Sequence, residues 1–587
     1  MSGIDLTVEI CGMSGDGTIA AGGLLNEALS WTGLSVMAFD SYPAEIRGFG
    51  RCVTRARIGD REMLALSDRT HVLISLDDEQ SVSRLSLLAP GATVLFDDKP
   101  PTPLPEGRSL AAHVEPGTSL IGVPMGDLAT GAAGTARGRN ITALGAFAAL
   151  FGISPEPFVE VITRKFKPKG EKVLQGNLLS FDAGYSYTRE KYGDRIIEAF
   201  KEAETDGYSE RALSSGNVAI SQGILDAGVR LYFGYPITPA TPIMEYLAKT
   251  MPERGGRVVQ MEDEISSIGA VLGSFFAGAR AVTATSGPGF ALMTELITHG
   301  VMAEIPAVVI DTQRAGPATG MPTKTEQSDL HAAVFGGPGD SARIVIAPTN
   351  ISECYHYTLR SFQYAEKYQT PVILLSDFFL NNRVETVSPW SAGEEETADW
   401  NIYPGEESRG NYLRFQVTES GISPRAVPGM DGFTFSASGL EHTQEGLPDY
   451  DPENHMAMNE KRHRKLKNAL QDLPEPEEFS ENGGTLDVGV ISWGSTFGSA
   501  REAVQRAWEK GQKVGALKVT SLYPYHAGTL KAFMEKCREV IIPELNYEGQ
   551  LANLIGHLCP REPVRINWTT GQPLSPTVIQ EKIEEFL

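Results

Sequence analysis

Three short stretches gather residues able to grip an anion and orient a carbonyl. Tyr235-Pro236-Ile237-Thr238-Pro239 follows the apolar run LYFG, and its two prolines fix φ on either side of a threonine hydroxyl. Thr285-Ser286-Gly287-Pro288-Gly289 follows AVTA, and Gln313-Arg314-Ala315-Gly316-Pro317-Ala318-Thr319-Gly320 follows AVVID. Each alone is a turn. Three polar, Gly/Pro-stiffened loops at three strand ends predict a pocket at the carboxyl edge of a parallel sheet, where α/β proteins bind ligands. The guanidinium of Arg314 suits a carboxylate through paired charge-assisted bonds. An Arg after a strand also serves in ion pairs, and the Thr238 hydroxyl can simply stabilise its turn. Glu264 precedes ISSIGAVLG, which predicts a carboxylate at the start of a buried helix. By residue type alone it serves the helix N-terminus, as Glu262 or Asp263 could.

Gly12, Gly15 and Gly17 lie between a predicted strand and helix, where bare amides and the helix dipole can receive a phosphate. Asp40 closes the next strand, the place of the ribose-binding acid in a dinucleotide fold. That pairing supports an NAD(P)- or flavin-dependent dehydrogenase, although the spacing is G-x-x-G-x-G and a ligand-free turn explains it equally. Gly15-Asp16-Gly17 also imitates the GDG that opens the diphosphate and magnesium motif of thiamine enzymes. Asn26 comes too soon to be that motif's metal ligand, so the triplet is read as a decoy. The five cysteines, Cys11, Cys52, Cys354, Cys537 and Cys559, form no C-x-x-C pair. Buried reduced thiols are expected, with no zinc or iron–sulfur site and no other metal site in this chain.

These loops need α/β scaffolds to position them. LTVEIC, LSVMAF, VLISL and ATVLF alternate with amphipathic stretches up to about residue 150, and VVQMEDE, ARAVTATSG, PAVVIDTQR and PVILLSDFF continue the pattern further on. Residues 386–484 are rich in Pro, Gly and acids and read as surface excursions or a linker. A third α/β segment begins with DVGVISWGS. The predicted division is 1–190, a linker over 191–212 in an exposed charged helix, 213–385, the excursions 386–484, and 485–587. The helix NEKRHRKLK, with His463 in it and His455 just before, reads as a solvated cationic face and less readily as a docking point for an acidic partner. His331 and His442 read as hydrogen-bonded structural groups. A net charge of −23 disfavours nucleic acid and anionic membranes. Ile265–Ala279, closed by Arg280, is too short and Gly/Ser-rich to span a bilayer. The N-terminus lacks the basic flank of a signal peptide, and a cytoplasmic protein is expected.

The motifs together resemble the 2-oxoacid:ferredoxin oxidoreductases. Gly216–Gly228, Tyr235–Pro239, Glu264–Gly273, Thr285–Gly289 and Gln313–Gly320 follow the order of the alpha subunit. The first segment is similar to the gamma subunit fused ahead of alpha, through Ser41-Tyr42-Pro43-Ala44-Glu45-Ile46-Arg47-Gly48. Gly439–His442 (GLEH), Trp493–Thr496 (WGST) and Pro543–Asn546 (PELN) extend the match to the last segment. The resemblance implies three parallel-sheet α/β domains: a gamma-like, Rossmann-like domain, a thiamine pyrimidine-binding domain and a transketolase C-terminal-like domain. It implies that Glu264 bonds N1′ of the thiamine aminopyrimidine, and that Thr238 and Arg314 hold the oxoacid carboxylate. Tyr235, Pro236, Ile237, Thr285, Ser286 and Gly287 would then line the cofactor. Gly12, Gly15, Gly17, Tyr42 and Arg47 become candidates for receiving coenzyme A. One departure is Asp16, where gamma-type loops reading G-x-G-G-Q-G carry an amide.

The resemblance implies thiamine diphosphate with Mg2+ shared with a beta subunit, which also carries a [4Fe–4S] cluster. Coenzyme A is the cosubstrate and ferredoxin the electron acceptor. The fused arrangement points to 2-oxoglutarate giving succinyl-CoA and carbon dioxide, reversibly. A pyruvate-specific member, the dinucleotide-dependent dehydrogenase and a non-catalytic scaffolding subunit are the alternatives.

Overall fold

The computed structural model describes residues 3–42, 50–100, 104, 110–197, 211–481 and 484–587. It divides into one unit of Met1–Ser214 with Arg383–Pro389 and another of Ser215–Asn382 with Trp390–Leu587. Most of the expected linker, residues 198–210, lies outside the described residues.

The first unit is built on an eight-stranded sheet. Its order is Ser119–Val123, Leu88–Asp97, Thr70–Ser75, Asp5–Met13, Arg51–Gly59, Ser35–Ser41, Val384–Val387 and Ala212–Ser215. The first four strands are parallel. Arg51–Gly59 then runs antiparallel to Asp5–Met13 and to Ser35–Ser41, and Val384–Val387 antiparallel to Ser35–Ser41. RCVTRARIG conceals its strand character because Arg51, Arg55 and Arg57 interrupt it. Arg57 pairs with Asp5 at 2.6 Å, and Arg55 and Arg84 flank the buried Glu9. Partnered in this way, charged side chains can be buried in a sheet. The helices Arg139–Leu150 and Glu171–Tyr192 cross so closely that a methyl on Gly145 or Gly184 would overlap the backbone of the other helix. Phe147, Phe151, Phe158 and Phe181 fill the core around that crossing.

In the second unit a seven-stranded sheet runs Ser521–Tyr523, Ile344–Ile346, Pro371–Asp377, Ala307–Gln313, Ala281–Thr285, Leu231–Gly234 and Arg257–Gln260. All its pairs are parallel except the edge pair Ile344–Ile346 with Ser521–Tyr523. AVVIDTQ and PVILLSD are buried at every position, as strands covered on both faces must be. A five-stranded sheet, Glu477–Ser480, Val514–Lys518, Leu486–Ser492, Cys537–Glu544 and Val564–Asn567, completes the unit.

The helix Pro452–Ala469 departs from its expected solvation. Lys461, Arg462 and Lys465 are buried. Lys461 and Lys465 both reach the buried Glu304, Lys465 at 2.8 Å, and Arg462 pairs with Glu441 at 2.7 Å. The cationic run is an internal clasp, and its burial has no local signal because Glu304 lies 157 residues before Lys461.

Candidate active site

The Leu231–Gly234, Ala281–Thr285 and Ala307–Gln313 strands lie side by side in the order Leu231, Ala281, Ala307 and point the same way. Their three loops therefore emerge on one edge. The helix Glu264–Phe276 begins beside them, and its N-terminus is satisfied by Asp263, whose carboxylate accepts from Ser266 N at 2.7 Å in a reciprocal capping box. Asp263 thus takes the capping role that residue type alone left open to Glu264. Glu264 is only 6 % exposed and turns toward the second loop. A methyl built on Gly289 would overlap both Glu264 Oε1 and Thr285 Oγ1, so the carboxylate occupies the space that this glycine leaves free.

Arg314, at the end of its strand, donates from Nη1 to the Thr238 carbonyl at 2.8 Å. The bond ties the third loop to the first, and the Thr238 hydroxyl lies on an exposed residue at the rim. Tyr235 and Pro236 are exposed beside it, with Ile237 half-buried. Thr285 and Ser286 are fully buried, and the Ser286 Oγ and Arg314 Nε are buried without a hydrogen-bond partner. Glu264, Thr285, Ser286, Gly287, Arg314 and Thr238 thus follow one another around a single edge of the sheet.

Sequence reasoning passed over two acids here. Asp311 sits in the third strand directly across from Thr285, and both its carboxyl oxygens are buried without a partner. Burial first, and then the neighbouring Asp329, raises its pKa well above the usual carboxylate range. Asp329 lies against Gly287, its oxygens 2.8 Å from where a methyl on that glycine would be. Its pKa is raised to about 7 by burial and by Glu326, with Arg314 opposing. An acid inside an otherwise apolar strand, AVVID, is the signal that could have found the pair. The segment carrying Asp329 is held by Gln327, which donates from Nε2 to Trp493 O and accepts from Thr496 Oγ1 and Leu545 N. The WGST and PELN motifs act here as an anchor for the Arg314–Asp329 stretch.

His442 and His331 make packing and backbone contacts away from the three loops. His442 is buried, with Nδ1 2.8 Å from Leu440 O and its ring against Phe415, and His331 Nε2 stands 3.1 Å from Gln550 O.

In the first unit, Asp16 folds into its own glycine loop. It accepts from Met13 N at 2.8 Å and pairs with Arg139 at 2.9 Å, so one amide and one cation that could meet a phosphate are already engaged. Asp40 is separated from the glycine-loop strand by the antiparallel Arg51–Gly59 strand and bonds Thr54 Oγ1. A dinucleotide fold needs that acid on the adjacent parallel strand, so the dehydrogenase reading loses its geometry. Tyr42 is 41 % exposed, and Arg47 lies outside the described residues. Among the described residues no group of three or more His, Cys, Asp or Glu stands close enough to hold a metal ion.

Three family models match the chain. Pyruvate flavodoxin/ferredoxin oxidoreductase, thiamine-diphosphate-binding, covers residues 222–461. Pyruvate ferredoxin/flavodoxin oxidoreductase covers residues 7–187, and pyruvate:ferredoxin oxidoreductase core domain II covers residues 487–571. The chain is 30 % identical to the alpha subunit of 2-oxoacid:ferredoxin oxidoreductase 2 of Aeropyrum pernix, over 100 % of this chain and 98 % of that protein. It is 32 % identical to the 2-oxoglutarate oxidoreductase subunit KorA of Mycobacterium tuberculosis, over 94 % of this chain and 87 % of the relative. Among solved structures it resembles the 2-oxoglutarate:ferredoxin oxidoreductase of Magnetococcus marinus with 2-oxoglutarate, coenzyme A and succinyl-CoA bound. The TM-score is 0.92 and the identity 36 %, over 99 % of each chain.

Proposed function

The chain belongs to the 2-oxoacid:ferredoxin oxidoreductase family as an alpha-type subunit, and from this we propose that it works in the coenzyme A-dependent oxidation of 2-oxoglutarate or its reverse. In the oxidative direction 2-oxoglutarate and coenzyme A give succinyl-CoA and carbon dioxide, and two electrons leave singly to ferredoxin. The observation that carries this reading is one sheet edge bearing both a buried acid, Glu264, and a tethered cation, Arg314. 2-Oxoglutarate is preferred to pyruvate because the Magnetococcus marinus enzyme, similar over nearly the whole chain, holds that substrate and its thioester.

The residues present suit the pyrimidine end of thiamine diphosphate: an acceptor carboxylate beside a glycine, with the Ser286 hydroxyl unpartnered nearby. When bound, that cofactor supplies the electron sink for decarboxylation that no side chain offers. Glu264 would share a proton with N1′ of the pyrimidine. Thr238 and Arg314 would bind the oxoacid carboxylate, the guanidinium remaining held through Thr238 O. Tyr235, Pro236, Ile237, Thr285, Ser286 and Gly287 would wall the pocket. We assign the diphosphate end with its Mg2+, and the [4Fe–4S] cluster, to a beta subunit, since this sequence has neither the GDG-to-Asn spacing nor clustered cysteines. Of the described residues proposed for coenzyme A, Tyr42 and Gly15 are exposed, and Gly12, Gly15 and Gly17 share their loop with the inward-turned Asp16. We place the complex in the cytoplasm, in keeping with cysteines that are free among the described residues.

The test is the enzyme assembled with its beta subunit, read as viologen-dye reduction over a panel of 2-oxoacids. Glu264→Gln should lower kcat by roughly 10²–10⁴-fold with thermal unfolding unchanged. Wild-type turnover by that variant would make the chain a scaffold, and preference for pyruvate would move the substrate assignment.

A further inference from the structure

Behind Arg314 stand two acids that the proposed reaction does not use. Thr285 and Asp311 are opposite one another across neighbouring strands, and Asp329 packs against Gly287, two residues beyond Thr285. Asp329 N bonds the side chain of Gln313, the residue before Arg314, so both ends of the stretch from Arg314 to Asp329 are pinned at one place. Both oxygens of Asp311, Oδ2 of Asp329 and Nε of Arg314 are buried without hydrogen-bond partners.

We propose that Asp329, pinned through its N–H to Gln313 in a buried cluster with Asp311, is a positioning residue for Arg314 and tunes its affinity for the oxoacid carboxylate. The inference rests on Arg314 being the carboxylate grip. The groups facing Asp329 are Glu326 on its own segment, Arg314 and Asp311 from the neighbouring strand, and the backbone of Gly287. Asp311, more deeply buried, is the acid held neutral. Arg314 remains cationic throughout the physiological range. Below about pH 7 Asp329 is neutral and Arg314 is free to meet a substrate carboxylate. Above it, Asp329 is an anion that competes for the same cation. The oxoacid KM therefore rises with pH, and oxoacid binding above pH 7 draws a proton onto Asp329.

The experiment uses the assembled holoenzyme, measuring kcat and KM for the oxoacid from pH 6 to pH 8.5 alongside Asp329→Asn and Glu326→Gln. The wild-type KM should climb by roughly tenfold across this range. Asp329→Asn should hold KM low and flat. Glu326→Gln, which keeps an acceptor for Gly316 N, should move the rise to lower pH, because it removes a like charge from Asp329. A pH-independent KM in the wild type, or a rise that survives in Asp329→Asn, overturns the proposal. If no 2-oxoacid is turned over, the functional reading fails separately. Infrared titration of the full chain then still judges the acid: a protonated-carboxyl band should fade near pH 7 in the wild type and be missing in Asp329→Asn. An identical titration in both chains overturns the proposal.

Discussion

A methyl group on Gly289 would stand where Glu264 Oε1 and Thr285 Oγ1 now are. Gly289→Ala is therefore expected to push the Glu264 carboxylate aside. A displacement of about an ångström in a catalytic group costs on the order of 10²-fold in rate, and the overpacking costs a further ~1–3 kcal/mol of stability. Steady-state kinetics and thermal unfolding on the assembled enzyme check both. Restoration of activity by a second change at Thr285 that shortens the side chain would tie the loss to this overlap. At this scale the order of the motifs singled out Arg314 and Glu264, although residue type alone pointed Glu264 to its helix N-terminus, a role that Asp263 fills. Beyond the lone acid in AVVID the sequence said little of Asp311 and Asp329, because Asp311, Arg314 and Gly287 meet Asp329 only when strands and loops close.

The buried clasp around Glu304 makes an element-scale case. The Gly287–Met302 helix ends in a Schellman turn, with Ile305 N bonded to Gly300 O and Glu304 N to Val301 O, and Glu304 holds the left-handed position at φ 50°. A glycine would fit that backbone with less strain, by about 1 kcal/mol. Glutamate stands there because its carboxylate neutralises Lys461 and Lys465 on the Pro452–Ala469 helix, while its carbonyl accepts from Arg414. Glu304→Gln leaves those cations buried without a counter-charge and should cost about 3–5 kcal/mol in chemical denaturation. Lys461→Met takes the donor from Glu304 Oε1 while Lys465 still pairs with Oε2, and should cost less than Glu304→Gln, about 1–3 kcal/mol. The pH dependence separates them further. Burial lowers the Lys461 pKa to about 8, below its unfolded value, so the charged form is the one disfavoured in the fold. The wild type therefore gains stability from this group as pH rises from about 8 to 10.5, and Lys461→Met does not. A basic helix was legible in the sequence, but not its burial, since the acid that neutralises it lies some 160 residues earlier.

At the scale of the molecule, the α/β class and the three loops at strand ends followed from continuous apolar runs broken by Gly and Pro. Pairing across long sequence separations did not. Thr386 Oγ1 accepts from Val36 N, and Val384 and Glu385 lie opposite Ala38 and Met37 in the first sheet, joined from some 350 residues away. Local periodicity carries no information about such partners. The strand Val384–Val387 lies between Ser35–Ser41 and the edge strand Ala212–Ser215, so without it the Ser35–Ser41 side is left unpaired. A polypeptide stopped at Ser214 should accordingly self-associate on size-exclusion chromatography, and a soluble peptide spanning Arg383–Pro389 should return it to a monomer; a monodisperse truncated chain would contradict this. The gamma-like portion of this chain thus completes its sheet only with a ribbon made much later in the polypeptide, so its Ser35–Ser41 flank stays open until residue 387 has been synthesised.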